Sequence, residues 1–296
     1  DHVTFTSARE DASRRDFTIN GMFFDPLKDQ LIDYVDGQAD LEKKVIRAIG
    51  DPQLRFAEDK LRILRAVRFA ATLNFQIEAK TRSAIEQFAS QLQVVSAERI
   101  TAEMERMLTQ ANRQAAVQLL QETGLLAIIF PEGEYNSSDF AERLAVGLQG
   151  LGALKTADFA TALALLWSQL VSNAGRSEPE AMTRRLKLSN PQIKSILWML
   201  GQESQIVAAD KLEWPVLQRI LVDPRIDNLL DLAAARRQAQ HQATSGIEHC
   251  RQQLLLPSAD LNPPQLLSGN DLQELGLPAG PLFREILELD FGFASP

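Results

Sequence analysis

The period of apolar and polar positions changes once along this chain, near Leu41. Before that point, residues 17–24 and 30–35 read as two strands flanking the turn-forming run Asp25-Pro26-Leu27-Lys28-Asp29, which predicts a β-hairpin. Just upstream, Ser7 and Glu10 have the spacing of a capping box for a short helix that runs into Arg14 and Arg15. From Leu41 onward the apolar residues recur at helical spacing. Gly and Pro fall mainly at breaks such as Gly50-Asp51-Pro52, Phe130-Pro131-Glu132-Gly133 and Leu255-Leu256-Pro257. Ser189-Asn190-Pro191-Gln192 supplies a cap and a first-turn proline for a helix through Trp198. No fixed period recurs, so a solenoid is not expected. The pattern predicts a mainly α chain: a small α/β piece followed by an all-helical remainder. One hairpin is too little for a stable α/β domain, so the N-terminal unit reads as part of a larger one.

With 296 residues, 45% of them hydrophobic, two or more packed units are expected. The chain contains no apolar run long enough to span a bilayer and no signal-like N-terminus, so it reads as soluble and cytoplasmic, with no membrane partner. Cys250 is alone, which excludes an internal disulfide. His2, His241 and His249 have no zinc-site spacing. The net charge of −8 argues against broad phosphate binding, yet Lys43, Lys44, Arg47, Arg55, Lys60, Arg62, Arg65 and Arg68 form a local positive island.

The densest chemistry lies between Glu58 and Phe69. On a continuous helix, Leu61, Ile63, Leu64, Val67 and Ala70 share an apolar arc, with Asp59, Arg62 and Arg65 on the opposite side and Arg68 at the border. One reading is a solvated face with an ion pair between Asp59 and Arg62. The other is an acceptor and donor template for a nucleobase edge. Cytosine and adenine both present an exocyclic amine beside a ring-nitrogen acceptor, whereas guanine and uracil turn a carbonyl towards the carboxylate. Arg65 and Arg68 would then hold phosphates. Arg14, Arg15, Asp16 and Asn20 stand at the mouth of the expected hairpin. Asp33, Asp36 and Asp40 fit a glycine turn with a helix N-cap at Asp40 better than a metal site.

In this order and spacing, three blocks resemble the class II tRNA nucleotidyltransferase (CCA-adding enzyme) and bacterial poly(A) polymerase family. They are the motif from Arg14 to Asn20, the turn from Asp36 to Leu41, and Ile46-Arg47-Ala48-Ile49-Gly50-Asp51-Pro52 leading into Glu58 to Phe69. Ser96-Ala97-Glu98-Arg99 is similar to the next family motif, and weaker likenesses lie at residues 184–189, 267–272 and 280–281. The resemblance implies a short α/β remnant of a nucleotidyltransferase head (1–48), a helical neck with the nucleotide-reading helix (49–112), a helical body (113–210) and a helical, RNA-binding tail (211–296).

By the same resemblance, Asp59 and Arg62 read the incoming base of CTP or ATP, Arg65 and Arg68 hold the nucleotide, and Arg15 with Asp16 contacts triphosphate or ribose. Arg14 and Asn20 are further candidates, and Glu98 with Arg99 acts as a brace. The implied reaction adds CCA, or A, to tRNA 3′ ends with Mg²⁺. The family's glycine-rich phosphate loop and metal carboxylates are not found before Arg14, so no catalytic residue is assigned and this chain alone is expected to add no nucleotide. Alternatives are poly(A) addition, or a non-catalytic RNA- or nucleotide-binding module. Oligomeric state stays open.

Overall fold

The computed structural model describes residues 7–171, 179–262, 269–277 and 280. Helix α1 (Ala8–Arg14) opens on the expected capping box, with Ser7 and Glu10 bonded reciprocally. The hairpin follows, but its first strand starts later than the pattern suggests. Strand β1 (Met22–Asp25) pairs antiparallel with β2 (Gln30–Asp33) in the register Met22 to Asp33. Phe17 instead makes an isolated bridge to Ala48, and Thr18–Asn20 forms a 3₁₀ turn. The reason is burial: Phe17 is fully enclosed and meets the Phe69 ring edge-on at 5.9 Å, so this stretch docks on the helical part rather than extending the hairpin.

Helix α2 (Gly37–Glu42) begins after Asp36, which adopts a left-handed conformation at φ 62°. Asp40 is therefore inside the helix and not its N-cap. It is buried, accepts hydrogen bonds from Thr18 Oγ1 at 2.8 Å and Arg47 Nε at 3.0 Å, and ties α2 to the chain on either side. The remainder is not wholly helical either. Strand β3 (Val45–Ile46) pairs parallel with β4 (Gln76–Ile77), a two-residue ladder too short to leave a period in the sequence.

Between these strands lie α3 (Pro52–Glu58) and α4 (Leu61–Leu73). Asp51 caps α3, with Pro52 in its first turn, as the Gly-Asp-Pro break predicts. The expected unbroken helix from Glu58 to Phe69 does not form. Asp59 is extended at φ −144°, and its Oδ1 accepts the Leu61 N–H at 3.1 Å, so the aspartate starts a new helix instead of riding on one. Within α4 the anticipated apolar arc is buried, and Asn74 ends the helix in a left-handed cap.

Helices α5 (Ala79–Phe88), α6 (Ala97–Leu108), α7 (Arg113–Glu122) and α8 (Leu125–Ile129) follow, and α4 packs on α6 and α7. Next come α9 (Phe140–Ala153), α10 (Phe159–Leu170), α11 (Pro179–Arg185) and α12 (Asn190–Val207). Every residue of α10 is buried, because α9, α12 and α14 (Ile226–Ala239) surround it. The expected helix start at Ser189 forms, with Pro191 in the first turn and Gln192 Oε1 accepting from the Ser189 N–H and hydroxyl. Helix α13 (Trp214–Leu221) precedes α14, and α15 (Ser245–Gln253), α16 (Ser258–Leu261) and α17 (Gly269–Glu274) complete the described chain. Cys250 is a buried residue of α15. Among the described residues, no helix is long and apolar enough to cross a membrane. His2, one of the three histidines without zinc-site spacing, and residues 267–268 and 281 of the weaker tail likenesses lie outside the described residues.

Candidate nucleotide-binding cleft

Where α1 ends, α4 begins and the first turn of α6 approaches, a cleft of about 520 Å³ opens. It is lined by Arg15, Asp16, Asn20, Asp59, Leu61, Arg62, Arg65, Phe69 and Arg99. Five of the six principal nucleotide-binding candidates therefore meet in one place, together with Asn20. Arg68 does not join them. Its guanidinium turns to α6, donates to Glu103 at 2.6 Å, lies 4.1 Å from the Phe69 ring, and is only 15% exposed. Glu103 is nearly fully enclosed and takes Arg68 and Arg106 as its partners, so Arg68 stands away from the cleft lining in this structure. Arg14 is outside the cleft; its side chain pairs with Asp11 at 2.8 Å.

The break between α3 and α4 decides how the two base-reading candidates are held. Asp59 does not pair with Arg62. Both its oxygens accept from Arg99 Nη2, at 3.2 and 2.9 Å, while Arg62 donates to Glu58 at 2.8 Å and to the Arg14 carbonyl at 3.1 Å. Carboxylate and guanidinium are thus kept apart by separate partners, with both side chains on the cleft wall. Burial would raise the Asp59 carboxyl, but hydrogen bonds from Arg99 and Leu61 N–H, with the charges of Arg99 and Arg62, hold it below the usual carboxylate range. It is an ionised acceptor at neutral pH.

On the opposite side Asp16 is buried and takes both Nε and Nη2 of Arg65, at 2.7 and 2.6 Å. The other Asp16 oxygen accepts from Phe17 N–H and Asn20 Nδ2. With its oxygens engaged, Asp16 orients Arg65 and Asn20. Arg15 donates to the Asn20 carbonyl at 2.7 Å and to Asp11, and its guanidinium stacks 4.4 Å from the Phe23 ring. Arg15 and Arg65 keep 37% and 31% of their side chains exposed, which leaves two partly open cations beside the acceptor and donor pair.

Sequence reasoning missed Arg99 as a cleft residue, although it singled out the motif that carries it. Leu61 and Phe69 supply apolar wall, and the only signal for Phe69 was its position one turn after Arg65. No group of three or more side chains able to hold a metal occurs among the described residues. The described residues do not offer a Mg²⁺ site.

Two family models match the chain. One, described as the poly(A) polymerase head domain, covers residues 1–47; the other, described as the probable RNA- and SrmB-binding site of polymerase A, covers residues 74–136. A CCA-adding enzyme of Enterococcus faecalis is 36% identical over 223 residues, spanning 70% of this chain and 54% of that relative. A CCA-adding enzyme of Pediococcus pentosaceus is 54% identical over 111 residues, 36% of this chain and 27% of the relative. The chain thus spans about half the length of the first of these curated relatives. The crystal structure of a Bacillus stearothermophilus CCA-adding enzyme in complex with CTP superimposes with a TM-score of 0.75 at 26% identity, over 97% of this chain and 70% of that one. A Thermotoga maritima CCA-adding enzyme complexed with tRNA shares the fold, with a TM-score of 0.66 at 20% identity. Together with the motif order and the cleft, these matches support a member of the class II CCA-adding enzyme and poly(A) polymerase family.

Proposed function

We propose that this chain carries the nucleotide-reading and helical parts of a template-independent RNA nucleotidyltransferase that adds CCA, or A, to tRNA 3′ ends from CTP and ATP. The observation that carries the reading is the separation of Asp59 from Arg62 by their own partners, Arg99 and Glu58, on one cleft wall. In this reading the Asp59 carboxylate accepts from the exocyclic amine of cytosine or adenine, and Arg62 donates to the neighbouring ring nitrogen. Arg15 and Arg65 take the triphosphate, Asp16 and Asn20 hold them in place, and Phe69 offers an apolar face nearby. Guanine and uracil would set a carbonyl against the Asp59 carboxylate and leave buried polar groups without partners, which a site discriminates against strongly.

The partner is the 3′ end of tRNA or another RNA, in the cytoplasm. We assign residues 1–48 to the head, 49–112 to the neck, 113–210 to the body and 211–296 to an RNA-binding tail. The Mg²⁺ that such a reaction uses is assigned to none of the described residues. Poly(A) addition is the second reading, favoured by the descriptions of both matching family models. The names of the curated relatives favour CCA addition.

The test is a calorimetric titration of the chain with ATP, CTP, GTP and UTP, with Arg62→Ala alongside. ATP and CTP are expected to bind about tenfold or more tighter than GTP and UTP, with the preference lost in the variant. Equal affinity for all four overturns the base-reading role.

A further inference from the structure

The last carbonyls of a helix lack intrahelical donors and must find partners elsewhere. At the end of α1 the Arg15 N–H returns to Ala12 O at 3.2 Å. The next two carbonyls are taken from across the molecule. Arg55 Nη2 donates to Ser13 O, and Arg62 Nη2 donates to Arg14 O at 3.1 Å. Cations suit this end of a helix, where the backbone dipoles concentrate negative charge.

Arg55 does more than cap. Its Nε donates to the Ile49 carbonyl at 2.9 Å and its Nη1 to Glu58 at 2.9 Å, and its side chain is only 18% exposed. The same Glu58 oxygen accepts from Arg62 at 2.8 Å. Hydrogen bonding from Arg55 is the main reason the Glu58 carboxyl lies below its usual range. One planar fork thereby grips three segments: the end of α1, the turn before α3, and the acid that holds Arg62.

We propose that Arg55, which does not line the cleft, is a positioning residue that registers the end of α1 against the α3–α4 break and, through Glu58, sets the reach of Arg62. The inference rests on the base-reading role argued above. The chain leaves α1 directly into Arg15 and Asp16, so a slip of the helix end shifts both of them relative to Asp59 and Arg62. Lysine cannot substitute, because an ammonium is a single point of charge without the planar fork that meets three acceptors at once.

Arg55→Lys in the whole chain tests this by amide hydrogen exchange and nucleotide titration together. Amides of residues 8–16 are expected to exchange about tenfold faster, while α10 keeps its wild-type protection as evidence of an intact fold. Affinity for ATP and CTP is expected to fall about tenfold. Glu58→Gln is the second variant: it leaves Arg55 on Ser13 and Ile49 and loosens only Arg62, so α1 exchanges more slowly than in Arg55→Lys while the preference for ATP and CTP weakens. Wild-type exchange over residues 8–16 in Arg55→Lys overturns the proposal, and so does faster exchange with unchanged nucleotide affinity. If the unmodified chain shows no preference among the four nucleotides, the base-reading role fails, while the exchange measurement still decides whether Arg55 holds α1.

Discussion

Glu58 and Asp59 are neighbours in sequence, yet they end on different partners because the backbone breaks between them. Glu58 closes α3 and takes Arg55 and Arg62; Asp59 turns out of helical geometry and takes Arg99 from α6. Arg99→Ala tests what that contact does. With Arg99 gone, burial acts on Asp59 against only the Leu61 N–H and the Arg62 charge, so its carboxyl should titrate at higher pH than in the parent. A carbon-detected NMR titration of the Asp59 carboxyl reads this directly, and an unmoved titration would show that Arg99 is not its stabilising partner. The residue types of the cleft were legible, since an acid followed by spaced arginines narrows the chemistry to a polar template with nearby cations. The pairing was not. An i,i+3 rule assumes one helix, and nothing in Glu58-Asp59-Lys60 announces that the Asp59 side chain starts a second one. Arg68 shows the same limit: its spacing matches Arg62 and Arg65, but a buried glutamate on another helix decides where it points.

Helix boundaries set by local chemistry were the most legible elements. The capping box at Ser7 and the proline-marked starts at Ser189 and Asp51 all form where the spacing puts them, because the partners are three residues apart or fewer. Elements held only by distant contacts were not legible, as the two-residue β3–β4 ladder and the docked Phe17 segment show. Helix α2 belongs to this second kind. It lies against the Thr18–Asn20 turn, and a Cβ at Gly37 would stand 2.3 Å from the Thr18 carbonyl oxygen and 2.8 Å from Met22 Cγ. The oxygen is backbone and cannot swing aside. Gly37→Ala should therefore destabilise the chain by about 1–3 kcal/mol, the usual cost of overpacking, by lifting α2 from the turn. A urea melt measures it, and a parent-like midpoint would mean that the two elements are not in firm contact.

Across the described residues the carboxylates do not respond to pH alike. Hydrogen bonds and neighbouring arginines hold most of the shifted ones down, among them Glu58, Asp59 and Asp223, so their contribution is present at neutral pH and is lost as pH falls through their lowered folded values. Glu203 runs the other way. It is 5% exposed, between α12 and α14, with Arg236 Nε at 2.9 Å; burial raises its pKa despite the charges of Arg236 and Arg237. Its folded value lies above its unfolded one, so the folded state binds the extra proton between the two. Stability from Glu203 is therefore fully present at low pH and declines as pH rises through that window. Glutamine has no such titration. The melting temperature of Glu203→Gln relative to the parent should become more favourable on going from about pH 5 to about pH 8, by about 2–4 °C for each kcal/mol of relieved desolvation. A difference that stays constant over that range would mean that Glu203 ionises in the folded chain as easily as in the unfolded one, and that Arg236 and Arg237 fully offset its burial.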